Sequence, residues 1–222
     1  MTGAETHAAF ARSWRRCWRA SGARGDGEPL MQRLLAAWAE PHRRYHTLQH
    51  LDECLATVEP HLGLAQHPAE VELALWFHDA IYEVARKDSE ERSAAWAAQV
   101  LHDAGVETTA VERVRALILA TRHDAVPVGT DEQLVVDVDL AILGTPRERF
   151  DEYERQVRDE YRWVPGFLFR RKRREVLAEF LARDPLYATA PIRAALESRA
   201  RENLTHALQR IGGSAITRDG DA

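Results

Sequence analysis

The chain is expected to be all-α, and three observations carry that expectation. Apolar residues recur at steps of three and four, as in Leu48, Leu51, Leu55, Val58 and Leu62, which lays one apolar stripe along a helix. Turn-forming residues gather into short connectors at 21–27, 63–68, 105, 127–130, 144–146, 165–166 and 185 rather than into long linkers. The one segment that alternates like a strand, Val135-Val136-Asp137-Val138-Asp139-Leu140, has no strand to pair with elsewhere in the chain. It therefore reads as helix, with Val135, Val138 and Ile142 turned inward.

The elements follow in order. Leu34, Leu35 and Trp38 form the first clear stripe. Thr47 precedes the second and is placed to cap it, its hydroxyl accepting from an orphan amide of the first turn. Val71, Ala74, Leu75 and His78 make the third, and Asp88 or Ser89 is the expected N-cap of the helix after it. Further stripes are Val111, Val114, Leu117, Ile118 and Thr121, then the Val135 segment, then Val176, Leu177, Phe180 and Leu181. No repeat of ~20–50 residues is present. Residues 211–222 are polar, Gly-containing and unpatterned, so they are expected to be a loose tail behind one domain over residues 1–210.

Composition narrows the function. A chain of 222 residues with 45% hydrophobic and 29% charged residues has the material for one packed domain. The net charge of -5 and pI near 6.1 give no global basic footprint, so neither nucleic acid nor a membrane surface is an expected partner. Cys17 and Cys54 lack the paired spacing of a thiolate zinc site and are too few for a disulfide framework, which fits a reducing cytoplasm. No run approaches ~18 apolar residues, and the N-terminus shows no signal peptide pattern.

The chemistry lies in Tyr45-His46-Thr47-Leu48-Gln49-His50, Trp76-Phe77-His78-Asp79 and Asp137-Val138-Asp139-Leu140. If the first is helical, His46 and His50 project from one face, one turn apart. His78 continues an apolar stripe and Asp79 follows it, so a carboxylate enters a region where an unpaired charge costs several kcal/mol and a cation satisfies both groups. Residues two apart on a helix do not share a face, so one of Asp137 and Asp139 is expected to face water or cap a turn, and the other is a candidate ligand. Two imidazoles with two carboxylates suit Mn, Fe, Co, Ni or Zn better than Ca or Mg, with positions left for water and substrate.

His50, His78-Asp79 and Asp139, in this order in a helical chain, resemble the H…HD…D signature of the HD superfamily of metal-dependent phosphohydrolases. The Tyr45-His46-x-x-x-His50 element is similar to that of cyclic-nucleotide phosphodiesterases. More closely, Arg44-Tyr45-His46, Phe77 to Tyr82, Glu90 to Ala94, Ala120 to His123 and Asp137 to Gly144 resemble a bacterial family of predicted metal-dependent HD phosphohydrolases, over roughly Leu34 to Tyr187. The resemblance implies a helical HD-type domain with one divalent transition metal between core helices. It makes His50, His78, Asp79 and Asp139 the ligands, Asp137 a structural partner and His46 a proton donor. It also implies hydrolysis of a phosphomonoester or phosphodiester of a nucleotide or other small molecule, with His46 and Asp79 as the catalytic pair.

Lys87, Glu91 (or its neighbour Glu90), His123 and Arg173 are candidates for contacting the substrate. His123 ends an apolar stripe, where a helix dipole or a second metal offers it another role. Arg173 lies on the inward stripe of its helix, in reach of a phosphate if it turns into the core. Two other readings keep the residues and change the chemistry. One is an HD-type di-iron oxygenase, drawing extra ligands from His46, His123 and Asp124. The other is a non-catalytic nucleotide-sensing module with a structural metal.

Overall fold

The computed structural model describes residues 3–213. Among them are ten α-helices, two 3₁₀ segments and no strand: α1 (Gly3–Ala20), α2 (Glu28–Trp38), α3 (Leu48–Val58), α4 (Pro68–Phe77), α5 (Ser89–Asp103), α6 (Thr108–Ala120), α7 (Thr130–Asp139), α8 (Arg147–Glu160), α9 (Gly166–Ala182) and α10 (Ala190–Gly213), with 3₁₀ turns at Glu59–Leu64 and Leu140–Gly144. The all-α expectation holds. No helix among the described residues is long and apolar enough to cross a membrane.

The chain divides into two compact units, Met1–Asp139 and Leu140–Ala222. The division falls where α7 tightens into the 3₁₀ turn, so no shift in composition or linker announces it. Of the expected tail, 211–213 form the last residues of α10, and 214–222 lie outside the described residues.

In the first unit α4 is the central element, packed against α1, α3, α6 and α7. Every residue from Glu70 to Phe77 is buried, so this helix has no wet face and its sequence is apolar almost all round. Pro68 opens it, where a missing amide hydrogen costs nothing. Helix α7 is similar: Leu134 to Val138 are all buried, including Asp137, which is 1% exposed. Burial on every side explains the strand-like β-branched alternation of a segment that is helical, with Val135, Val138 and Ile142 inward as expected. Asp137 is therefore shut off from water, and the Asp139 side chain, 12% exposed, turns toward histidines rather than solvent. Thr47 caps α3, accepting from the Gln49 amide at 3.3 Å. Asp88 occupies the N-cap position of α5, but its carboxylate pairs with Arg86 instead of an amide.

In the second unit α10 packs against α9 and the 3₁₀ turn at 140–144. Gly144 is obligatory there, because a Cβ would stand 2.6 Å from Leu196 Cβ. Tyr187 Oη donates to the Leu140 carbonyl at 3.0 Å, and Asn203 Nδ2 donates to the carbonyls of Leu143 and Thr145 at 2.9 and 3.0 Å.

Candidate metal centre

The first unit brings the four expected ligands together from three helices. His50 sits in the first turn of α3, His78 at the C-terminal cap of α4, Asp79 in the turn just beyond it, and Asp139 at the end of α7. His50 Nε2 and His78 Nε2 face each other at 3.2 Å. Asp139 Oδ1 lies 3.1 Å from the first and 3.5 Å from the second, and Asp79 Oδ2 lies 3.9 and 3.2 Å from them.

Two imidazole nitrogens that point at one another, with carboxylate oxygens around them, fit a shared cation. Nitrogens each ~2.0–2.1 Å from one ion stand roughly 3.0–3.4 Å apart. The outward faces of the rings agree with this. His78 Nδ1 lies 2.9 Å from the Leu75 carbonyl, an acceptor only, so Nδ1 carries the proton and Nε2 presents its lone pair. His50 Nδ1 lies 3.1 Å from Tyr45 Oη, which accepts the Nδ1 proton when Nε2 is a ligand. Trp38 closes the back of the site, its ring centroid 5.3 Å from that of His78 and 6.1 Å from that of His50.

The electrostatics ask for positive charge. Burial opposes ionisation of His78, but Asp79 and Asp139 outweigh it and push the imidazole well above its usual range. Burial equally disfavours both carboxylates, and the imidazoles, His78 foremost, hold both below the usual carboxylate range. A proton on His78 thus stands where a divalent cation is expected.

One residue of this centre escapes a reading of the sequence, and for another the sequence leaves a choice between neighbours. Cys54 is buried one turn beyond His50 on α3, its Sγ 3.8 Å from His50 Nε2, and His50, Cys54, His78 and Asp139 together form a group that can hold a metal. Burial pushes its thiol up, so it is neutral until a metal displaces the proton. The signal was the i, i+4 spacing to a histidine; a search for paired cysteines passes over it. The second is Glu90. Its carboxyl is raised by burial and by the nearby Asp79 charge, whereas Glu91 is exposed and pairs with Arg122 at 2.6 Å. Of the two neighbours, Glu90 faces the centre.

The other expected residues divide. His46 is not on α3, because Thr47 is extended and the helix starts at Leu48; a tight turn from the Tyr45 carbonyl to the Thr47 amide (2.7 Å) delivers it instead. It stacks on Tyr82 at 4.0 Å between centroids, and its Nε2 lies 4.0 Å from Asp79 Oδ2. His123 lies beyond the end of α6 with φ 58°, and this left-handed turn aims Nε2 at Asp139 Oδ2, 2.9 Å away. Asp124 is exposed and paired with Arg122. Lys87 is exposed in the loop before α5. Arg173 belongs to the second unit, where its guanidinium lies 5.0 Å from the Tyr153 ring centroid and is held by Glu154.

The loop that follows Asp79 is pinned from α5. Ser93 Oγ accepts from the Ile81 amide at 3.0 Å and donates to its carbonyl, and Ser89 Oγ accepts from the Glu83 amide. No protein-family model, curated protein or solved structure matches this chain.

Proposed function

We propose that the chain is a metal-dependent phosphohydrolase of the HD type that its motifs resemble, acting on a phosphomonoester or phosphodiester of a nucleotide or other small molecule. The observation that carries this reading is the convergence of His50 Nε2 and His78 Nε2, 3.2 Å apart, with oxygens of Asp79 and Asp139. When bound, a divalent cation supplies charge against a phosphate and a water whose pKa falls from ~15.7 towards ~7 in favourable zinc sites. Mn, Fe, Co, Ni and Zn suit the donors, the Cys54 sulfur favouring the softer of them.

The chain's own groups do the rest. His78 is fixed by Leu75, and Asp139 is oriented through His123, so the donors need no rearrangement. Trp38 and Tyr45 keep the inner side dry, which strengthens electrostatic attraction there. His46, its side chain 21% exposed, lies beside Asp79; it holds a proton at Nε2 for the leaving oxygen.

The test is metal analysis of the purified protein joined to a screen of phosphorylated metabolites. The parent is expected to carry a divalent metal and to hydrolyse at least one ester. The His78→Ala/Asp79→Ala double variant is expected to lose both properties. Hydrolysis that survives in the double variant, or a parent that binds no divalent metal, overturns the reading.

A di-iron oxygenase stands as a second reading, favoured by the two extra imidazoles, His46 and His123, that flank Asp79 and Asp139. Two irons per chain with dioxygen consumption would replace hydrolysis; one metal without redox behaviour removes the oxygenase.

A further inference from the structure

The segment between α2 and α3 carries an arginine for which the metal chemistry gives no account. The Arg43 side chain is fully buried, with its guanidinium 5.6 Å from the ring centroids of both Trp38 and Tyr82. A guanidinium has five N–H bonds, and here each has an acceptor. Nη1 donates to the carbonyls of Asp79 at 2.7 Å and His46 at 3.1 Å. Nη2 donates to the Ala80 carbonyl at 3.0 Å and to Glu40 Oε2 at 3.1 Å, and Nε donates to that same oxygen at 3.1 Å.

Three of those five hydrogen bonds go to main-chain carbonyls of the two segments that carry His46 and Asp79. Neighbouring contacts act in the same sense: His42 Nε2 reaches the Tyr82 carbonyl at 2.8 Å, and Tyr82 stacks on His46. Glu40 answers the charge from the rim, so the fork is satisfied without using either carboxylate of the centre.

We infer that Arg43 is a positioning residue, a clamp that sets the spacing between the His46 imidazole and the Asp79 carboxylate by fixing the backbone beneath each. Lysine keeps the charge but has three donors and no planar fork, so it cannot reach all three carbonyls and Glu40 at once. The clamp's consequence for metal binding rests on reading the cluster as a metal centre; the clamp itself does not.

The experiment compares the full-length parent with Arg43→Lys, Glu40→Gln and Leu101→Ala, the last a cavity in α5 as a control for general loss of stability. Co(II) affinity is measured by chelator competition, and amide hydrogen exchange is followed in the Co(II)-free proteins. Arg43→Lys is expected to weaken Co(II) binding about 10- to 100-fold. It is also expected to speed exchange at the Thr47 and Ile81 amides together. Glu40→Gln, which leaves the buried part intact and keeps the test usable if Arg43→Lys does not fold, shows the same pattern at about threefold. Leu101→Ala leaves affinity within about twofold despite its lower Tm. The inference is overturned if Arg43→Lys, or Glu40→Gln where the lysine variant does not fold, binds Co(II) like the parent, if the two amides do not respond, or if Leu101→Ala loses as much affinity. A parent that binds no Co(II) removes the metal reading instead, and exchange at Thr47 and Ile81 then decides the clamp alone.

Discussion

Three acids lie on α4 or one residue past its cap, and they are treated in two different ways. Glu70 receives both Nε and Nη2 of Arg113 at 2.7 Å, and Glu72 receives Arg16 and the Ser13 hydroxyl, whose oxygen in turn accepts from Trp76. Each of these buried carboxylates is paired with a permanent cation. Asp79 has imidazoles instead, and Arg43, which reaches its main chain, donates to carbonyls and to Glu40 rather than to its carboxylate. The same helix therefore shows buried carboxylates matched to guanidinium groups and one matched to imidazoles that can also ligate a metal. Burial of a charge is common to both and says nothing about function; the nature of the partner does.

Replacing one acid in each setting tests that contrast, and metal affinity should separate the two variants. Asp139→Asn keeps the shape and removes one charge from the centre. It is expected to weaken divalent metal binding on the order of a hundred- to a thousandfold and, because the imidazoles hold Asp139 below the usual carboxylate range, to lower the stability of the metal-free protein as well. Glu72→Gln should leave metal affinity unchanged and cost about 2 kcal/mol of stability, since Arg16, with 38% of its side chain exposed, is partly rescued by water. Isothermal titration with Co(II) and chemical denaturation of both variants suffice. Two variants that change metal affinity alike would erase the distinction.

A smaller effect sharpens the contrast within the centre. His123 pays for its left-handed backbone, which costs a non-glycine residue about 1–2 kcal/mol, and returns a hydrogen bond to Asp139. His123→Gly should therefore relieve strain and hold or raise Tm, yet lower metal affinity about tenfold through the loss of Asp139's orientation. His123→Ala keeps the strain and loses the same affinity. Glycine and alanine variants with equal Tm would show that the left-handed turn carries no strain.

Much of this was legible in the sequence, and the misses have physical causes. The stripes at Leu48 to Leu62 and Val111 to Thr121 belong to half-buried helices, and their period is plain. Helix α7 is buried all round, which hides its period and made Asp137 and Asp139 inseparable by spacing. His78 and Asp79 stood out because histidine and aspartate at apolar positions are costly, and the family resemblance rather than spacing set His50 and Asp139 beside them. Glu90 and Glu91 are adjacent, about 100° apart on a helix, and only the docking of α5 decides which turns inward. The delivery of His46 by a turn before α3, and of His123 by a left-handed residue after α6, depends on local backbone that periodicity does not report. Arg43 was hidden for a similar reason: three of its hydrogen bonds go to main-chain carbonyls, which every residue has.

The mildest of the tests is a titration. His78 is raised above the usual imidazole range by Asp79 and Asp139 against the opposition of burial. In the metal-free protein its proton therefore contributes stability that is fully present below the unfolded value of ~6.5 and is lost as pH rises through the raised folded value. A bound cation replaces that proton, so the loaded protein does not follow the same decline. Thermal melts between pH 6 and 9 should show the metal-free Tm falling and the gap to the Co(II)-loaded protein widening. In Asp139→Asn one of the two raising charges is gone, so the metal-free decline should be shallower. At Glu72 no such proton stands in for a missing partner, because Arg16 fills the place at every pH in that range, and Glu72→Gln should lower the whole curve without changing its slope. A slope altered by Glu72→Gln, or left unaltered by Asp139→Asn, would mean that the two kinds of buried acid on this helix are not distinct.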